Sequence, residues 1–257
     1  MNEKRELLNT LLFEKNNKIN GGIYNKMQVD FAYNSNHIEG SSLSHEQTRY
    51  IFETQSIDGT AFVNDIFEAS NHFRCFDFIL DTIGEKLSEN YIKKIHYILK
   101  SGLAENNNSE IVIGDYKKYA NTVGGIETVE PERVSEKMNI LIQKYADKKS
   151  SDLFDIAEFH MKFEKIHPFY DGNGRVGRLL ILKMCLENSI VPFFIDERNK
   201  IFYYKGLKEW QTENKPNRLI DVFLSMQDDM KAVLDYFKIG YNDIQETARE
   251  LIKKHNA

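Results

Sequence analysis

Five residues whose side chains can move protons or bind metals and phosphates fall within one segment of twelve residues: His167, Asp171, Asn173, Arg175 and Arg178. An imidazole can accept a proton near neutral pH. A carboxylate can help to hold magnesium, and two guanidinium groups can bind phosphate oxygens. Together these groups suit a site that cleaves a nucleotide phosphate bond with a hydroxyl as the nucleophile.

The sequence predicts that this segment begins at the end of a helix. Proline disfavours the helical conformation in the residue before it, so a helix that starts near Asp152 should end at the step from His167 to Pro168. Gly172 and Gly174 then allow a tight turn or a close approach to a ligand. The histidine is therefore expected at the entrance of a short loop.

A second helix is predicted to begin at about Asn173. Its first N–H groups have no partner within the helix and, with the positive end of the helix dipole, form an anion site. Arg175 and Arg178 lie three residues apart and share one face of the first turns. Taken singly, these residues could be a packed histidine, an exposed turn and a solvated helix face. Their order within one short segment favours a phosphate pocket.

The run HPFYDGNGRVGR is similar to the signature of the Fic family, His-x-Phe-x-(Asp/Glu)-Gly-Asn-Gly-Arg-x-x-Arg, and meets every defined position. The preceding AEFHMKFEKIHPF also looks like the lead-in helix of that family. We judge that the resemblance covers residues from about 61 to 230. It implies a mainly helical fold and an adenylyltransferase that moves AMP from ATP, with magnesium, to a Ser, Thr or Tyr hydroxyl of a target protein.

The resemblance also implies a role for each position of the motif. His167 would deprotonate the target hydroxyl, and Asp171 would hold magnesium, or manganese in its place. The segment Gly172–Gly174 would line the cradle of the α- and β-phosphates. Arg175 would bind the β/γ end of the triphosphate, and Arg178 the γ-phosphate.

Two further segments resemble substrate-binding parts of the family. Short β runs on both sides of a Gly-Gly pair predict a hairpin, and it resembles the flap that docks the target as an added strand. The residues predicted for this docking are Thr122, Val123, Gly124, Gly125 and Ile126. The family often has Arg at the position of Lys117, just before the hairpin. Tyr204 lies in a segment that resembles the surroundings of the adenine pocket and is predicted to contact the nucleotide.

The segment Ser35-Asn36-His37-Ile38-Glu39-Gly40 resembles the inhibitory sequence of the family, (Ser/Thr)-x-x-x-Glu-(Gly/Asn). Ser35 and Glu39 are four residues apart and share a helix face. Its position before the motif resembles the subgroup with an N-terminal inhibitory helix. The resemblance implies autoinhibition, in which Glu39 pairs with Arg178 and occupies the space of the γ-phosphate. In some relatives the matching glutamate also helps to remove AMP from targets.

The remaining pattern is mostly helical, with the hairpin as the one β element, so we expect an all-α fold with one short β-hairpin flap. Ser44 and Gln47 form a capping-box pattern that should start a helix, and Pro131 suits the first turn of another. We divide the chain into an N-terminal helical lobe (1–60), a catalytic core (61–230) and a helical tail (231–257).

Composition limits the class of protein. The 257 residues carry a formal net charge of -5, which disfavours a nucleic-acid partner. No run is apolar enough to span a membrane, and the N-terminus lacks a signal-peptide pattern, so a cytoplasmic location is expected. Cys75 and Cys185 lie in apolar helical patterns and are expected to be buried free thiols.

Three other interpretations stay open. The same scaffold could transfer UMP or GMP, because the choice of base lies outside the motif. The chain could be a nucleotide-sensing or protein-binding module, although an intact His167 would then have no task. A nucleic-acid regulator is disfavoured because only a short tail follows the core. A homodimer is compatible with the sequence.

Overall fold

The computed structural model describes residues 6–103, 112–146, 148–243 and 246–255, which form eleven α-helices and one β hairpin. The helices are α1 (Glu6–Asn17), α2 (Ile23–His37), α3 (His45–Thr54), α4 (Val63–Asp81), α5 (Glu89–Lys100), α6 (Pro131–Ala146), α7 (Leu153–Ile166), α8 (Asn173–Asn188), α9 (Lys200–Glu213), α10 (Asn217–Tyr236) and α11 (Ala248–His255). The predicted all-α fold with a short hairpin is confirmed. Within the described ranges, no helix combines the length and apolar character needed to cross a membrane.

Several helices begin where local sequence signals place them. Ser44 caps α3, since its Oγ accepts a hydrogen bond from the Gln47 N–H at 3.0 Å and the Gln47 side chain returns a bond to the Ser44 N–H. Pro131 is the first residue of α6. Asp152 caps α7 through a second capping box. The predicted starts of these helices are therefore confirmed.

Helices α7 and α8 lie at the centre of the main hydrophobic core. Every residue of α8 from Val176 to Leu186 is buried, so this helix is enclosed on all sides. From α7, Phe159 and Phe163 are buried in the same cluster. The loop that joins the two helices is consequently anchored at both ends in the main hydrophobic core.

The N-terminal helices share this core. Leu11 of α1 and Met27 and Phe31 of α2 belong to the same cluster as the residues of α7 and α8. Divisions near residues 60 and 230 stay a prediction, and the second of them falls inside α10. Cys75 and Cys185 are buried free thiols, as expected.

The hairpin consists of β1 (Thr122–Val123) and β2 (Ile126–Glu127), which pair antiparallel with Val123 opposite Ile126. Gly124 and Gly125 form the two-residue turn, with φ values of 56° and 78°. Positive φ at both positions is the requirement of a type I′ turn, which a Gly-Gly pair meets without steric cost.

Candidate active site

The loop between α7 and α8 is held by its own side chains. His167 takes the left-handed conformation, with φ 51° and ψ 63°, and ends α7 as the following proline requires. Asn173 closes the loop, because its Oδ1 accepts from the Phe169 N–H at 2.8 Å and its Nδ2 donates to the Phe169 carbonyl at 2.9 Å. The Asn173 side chain is thus used internally, and only its backbone is left to line an anion cradle.

A second histidine supports the loop from α5. The His96 ring stacks on Phe169, with centroids 3.9 Å apart and an interplanar angle of 8°. The Gly114 N–H donates to His96 Nδ1 at 2.9 Å, which leaves the proton on Nε2 to donate to the Asp171 carbonyl at 3.1 Å. Burial lowers the pKa of His96 to about 4, so the ring is neutral and can fill both roles.

The imidazole of His167 is held in its neutral form. Burial, together with the nearby charge of Lys117, lowers its pKa to about 4. At neutral pH the ring can therefore accept a proton. His167 Nδ1 lies 3.9 Å from Glu164 Oε2.

Glu164 is a buried carboxyl group that the sequence analysis did not single out. Burial raises its pKa to about 8, and Gly177 makes room for it, since a Cβ there would lie 2.7 Å from Glu164 Oε1. The only sequence signal is a glutamate three residues before His167. An amphipathic pattern normally assigns such a residue to the solvent.

Asp171 is held by cations from two elements. Its Oδ2 lies 2.5 Å from Lys100 Nζ of α5 and 3.4 Å from an amino group of Arg175. Although burial alone would raise the pKa of Asp171, these cations hold it at about 2. Arg175 is buried, and it also forms an ion pair of 2.5 Å with Glu68 of α4. The sequence analysis missed Lys100 and Glu68.

Asp171 fits a magnesium ion only together with a nucleotide. It keeps 49% of its side chain exposed at the start of α8, and magnesium is usually held by one or two carboxylates plus phosphate oxygens. Among the described residues, the one group of three side chains with metal-ligand spacing is elsewhere, at the opposite end of α7: Asp152, Asp155 and His255.

Arg178 is brought together with the two residues of the N-terminal motif. Its guanidinium donates to Ser35 Oγ at 3.0 Å, to the Ser35 carbonyl at 2.9 Å and to Glu39 Oε1 at 2.7 Å. Burial alone would raise the pKa of Glu39, but Arg178 holds it below its usual value. The carboxylate is therefore ionised at neutral pH.

Glu39 also lies directly over the first turn of α8. A Cβ on Gly174 would overlap Glu39 Oε1 and would lie 3.0 Å from an amino group of Arg178. The N-terminal turn at which a phosphate would bind thus already contacts a carboxylate of the protein itself.

Tyr204 and the hairpin line one cleft of about 530 Å³ beside the end of α7. Its walls include Val123, Gly124 and Glu164 as well as Tyr204. Tyr204 keeps 41% of its surface exposed, whereas Tyr203 is buried against His160 of α7. Of this tyrosine pair, only Tyr204 is placed to meet a ligand. Thr122 and Gly125 are exposed on the same hairpin, and of Ile126 only the backbone is described.

Comparison with known proteins points to one family. Residues 86–185 match the Fic/DOC family. A protein adenylyltransferase Fic of Aedes aegypti is 29% identical over 185 residues, which is 70% of this chain and 36% of that protein. A relative of the same name from Drosophila virilis is 27% identical over 81% of this chain and 42% of its own length. The chain thus spans less than half the length of these relatives.

Solved structures show the same fold. A Fic domain containing signaling protein from Bacteroides thetaiotaomicron superposes with a TM-score of 0.66 at 25% identity, over 84% of this chain and 85% of its own. A Fic family protein from Desulfovibrio desulfuricans gives a TM-score of 0.68 at 19% identity, over 92% of this chain and 75% of its own.

Proposed function

We propose that this chain, whose residues 86–185 match the Fic/DOC family, transfers AMP from ATP to a hydroxyl group of a target protein. The observation that carries the proposal is a neutral His167 at the end of α7, directly before a helix N-terminus with two buried arginines. A base beside an anion site is what nucleotidyl transfer to a hydroxyl requires. The name of the curated relatives, protein adenylyltransferase, supports AMP as the transferred group.

The reaction can be assigned to groups of this chain. His167 takes the proton of the target hydroxyl, and the hydroxyl oxygen forms a bond to the α-phosphorus of ATP. The bond between the α-phosphorus and the oxygen that bridges it to the β-phosphate breaks, so that pyrophosphate leaves. The backbone of Gly172–Gly174 binds phosphate oxygens, and Arg175 offsets the charge of the leaving group. A magnesium ion held by Asp171 would supply further charge neutralisation when bound.

The cleft between the hairpin and Tyr204, which Glu164 of α7 also lines, would hold part of both substrates. The adenine ring would contact Tyr204, and the target would add as a strand to the exposed edge of the hairpin. Strand addition uses main-chain hydrogen bonds and therefore places the hydroxyl-bearing residue in a fixed register.

We further propose that Glu39 inhibits this transfer. An ionised carboxylate on Arg178, over the first turn of α8, repels a triphosphate and occupies its arginine partner. Replacing Glu39 should therefore raise the rate. A buried charged contact of about 2 kcal/mol corresponds to a gain of about thirtyfold, so a gain of at least about tenfold is expected.

The test is autolabelling with labelled ATP and magnesium. Glu39→Gly should label at least about tenfold faster than the wild type, and Glu39→Gln, which keeps the shape without the charge, should also be faster. Equal rates in all three proteins would contradict the inhibitory role. Parallel assays with labelled UTP and GTP test the choice of base.

A second variant separates the enzyme from a mere nucleotide-binding module. His167→Ala in the Glu39→Gly background should lose transfer while its affinity for ATP stays within about twofold, because the base acts on the hydroxyl and not on ATP. Undiminished labelling by this double variant would show that His167 is not the base.

A further inference from the structure

Lys117 is a buried cation whose hydrogen-bond acceptors are all neutral. The residue is 5% exposed. Its ammonium group donates to Asn121 Oδ1 at 2.7 Å and to Thr128 Oγ1 at 2.5 Å, and it lies 3.5 Å from the Ile166 carbonyl oxygen. A lysine ammonium has three protons, so these acceptors match its full donor capacity.

Two of these acceptors mark the base of the hairpin. Asn121 directly precedes β1, and Thr128 directly follows β2. They are also joined to each other, because Thr128 Oγ1 donates to the Asn121 carbonyl at 3.0 Å. Lys117 thus closes the hairpin where its two strands enter and leave.

Lys117 and Asn121 also contact the loop on both sides of His167. The Ile166 carbonyl, one residue before it, faces Lys117 Nζ. The Pro168 carbonyl, one residue after it, accepts from the Lys117 N–H at 2.8 Å. Asn121 Nδ2 adds a longer contact of 3.4 Å to the Phe169 carbonyl.

We propose that Lys117 is a positioning residue that fixes the hairpin relative to His167, so that a target strand docked on the hairpin presents its hydroxyl to the base. This role rests on the transfer function proposed above. Lys117 takes no part in bond making; it acts through the hairpin and through the imidazole.

The energetics favour a specific role over a purely stabilising one. A buried cation loses its hydration, and burying an apolar side chain of similar length would often cost less free energy. Burial also lowers the pKa of Lys117 to about 8, although the charge of Glu130 acts in the opposite direction. As pH rises through about 8 the ammonium loses a donor, so the attachment of the hairpin should weaken.

The charge of Lys117 has a second effect, on the base itself. The positive charge disfavours imidazolium and helps to lower the pKa of His167, whereas Asp171 and Glu39 act in the opposite direction. Glu164, from α7, also faces the ring, with its Oε2 3.9 Å from His167 Nδ1. Removing the charge of Lys117 should therefore raise the pKa of His167 towards its ordinary value.

Three variants separate the contacts from the charge. Lys117→Met removes both. Thr128→Val removes one acceptor of Lys117, together with the bond from Thr128 to the Asn121 carbonyl, and keeps the charge. Lys117→Arg keeps the charge but replaces a tetrahedral donor with a planar one. Each is made in the Glu39→Gly background. The measurements are an NMR titration of the His167 ring, amide hydrogen exchange of residues 119–129 against α7 and α8, and autolabelling over a range of ATP concentrations that reaches saturation.

We expect all three variants to raise hydrogen exchange in the hairpin, about tenfold or more, while exchange in α7 and α8 stays constant. Only Lys117→Met should raise the pKa of His167, by roughly one unit. Autolabelling should slow with an unchanged KM for ATP. If Lys117→Met does not fold, Thr128→Val and Lys117→Arg still decide the positioning role.

Unchanged hairpin exchange in the variants would overturn the proposal, as would a rise that extends equally through α7 and α8, because that indicates general loosening. Hydrogen exchange and the titration of His167 can both be measured without catalysis. If the Glu39→Gly parent does not label, the proposed transfer function fails, whereas the exchange and titration data still judge Lys117.

Discussion

Gly174 is the residue that allows a carboxylate to approach the first turn of α8. Its backbone φ is not positive, so the position does not need glycine for its conformation. Its importance lies in the missing side chain, because a Cβ would overlap Glu39 Oε1. The same lack of a side chain would let a phosphate approach the turn once Glu39 has moved.

Gly174→Ala should therefore have opposite effects on stability in two backgrounds. In the wild type the added methyl meets Glu39 and should lower Tm. In Glu39→Gly the overlap with the carboxylate is gone, and the Arg178 amino group, 3.0 Å from the new Cβ, has only to shift by a few tenths of an ångström. Alanine in a helix gains about 0.5–1 kcal/mol over glycine, so Tm should rise by a few degrees. Thermal unfolding of the wild type, the two single variants and the double variant gives the coupling energy between positions 39 and 174. A coupling energy below about 0.5 kcal/mol would contradict the contact.

The residues of the site differ in how far a sequence can reveal them. Glu39 and Arg178 could be paired because each stands in a motif that resembles one of the Fic family, and that resemblance implies the pair. Lys100, His96 and Glu68 could not, because they lie on α4 and α5 in ordinary amphipathic patterns. They reach the loop only through packing of helices that are distant in sequence, and no local rule encodes that contact.

At the scale of elements, local signals predict the framework of the site well. The proline after His167 ends α7, and Ser44 starts α3 through its capping box. The hairpin follows from the Gly-Gly turn, because few other residues accept positive φ at both positions. Its attachment to the loop is tertiary, through Lys117, and periodicity carries no information on it.

The turn of the hairpin offers a test of its role in transfer. A Cβ on Gly124 would meet nothing within 4 Å, so a substitution there acts through the backbone and through the side chain that it adds to the wall of the cleft. Gly124→Val places a β-branched residue at positive φ, which should cost about 1–2 kcal/mol and disorder the turn. Autolabelling in the Glu39→Gly background should fall about tenfold, with ATP affinity unchanged.

The matched control is Gly124→Asn, because asparagine accepts the left-handed conformation and is common in such turns. It should retain most of the activity. If valine and asparagine have the same effect, or if valine has none, the hairpin does not need this turn for docking.

At the scale of the whole molecule, Glu39, which we propose as the inhibitory residue, directly follows a helix of the hydrophobic core. The segment that ends in Glu39 is the continuation of α2, and α2 buries Met27 and Phe31 beside α4. We therefore expect a movement at the end of α2 to relieve the proposed inhibition. Loss of the whole helix would instead remove part of the hydrophobic core. A substitution of Glu39 and a deletion of its helix should have different consequences.

Deletion of residues 1–60 tests this difference. It removes Leu8, Leu11, Met27 and Phe31 from the core, and each such side chain contributes about 1.5–3 kcal/mol when buried. Their sum is comparable to the whole folding free energy of about 5–15 kcal/mol. The truncated chain should thus lose cooperative thermal unfolding in calorimetry, whereas Glu39→Gly should keep it. A truncated chain that unfolds cooperatively within a few degrees of the full chain would instead make residues 1–60 a separable lobe, because its core would then be complete without α1 and α2.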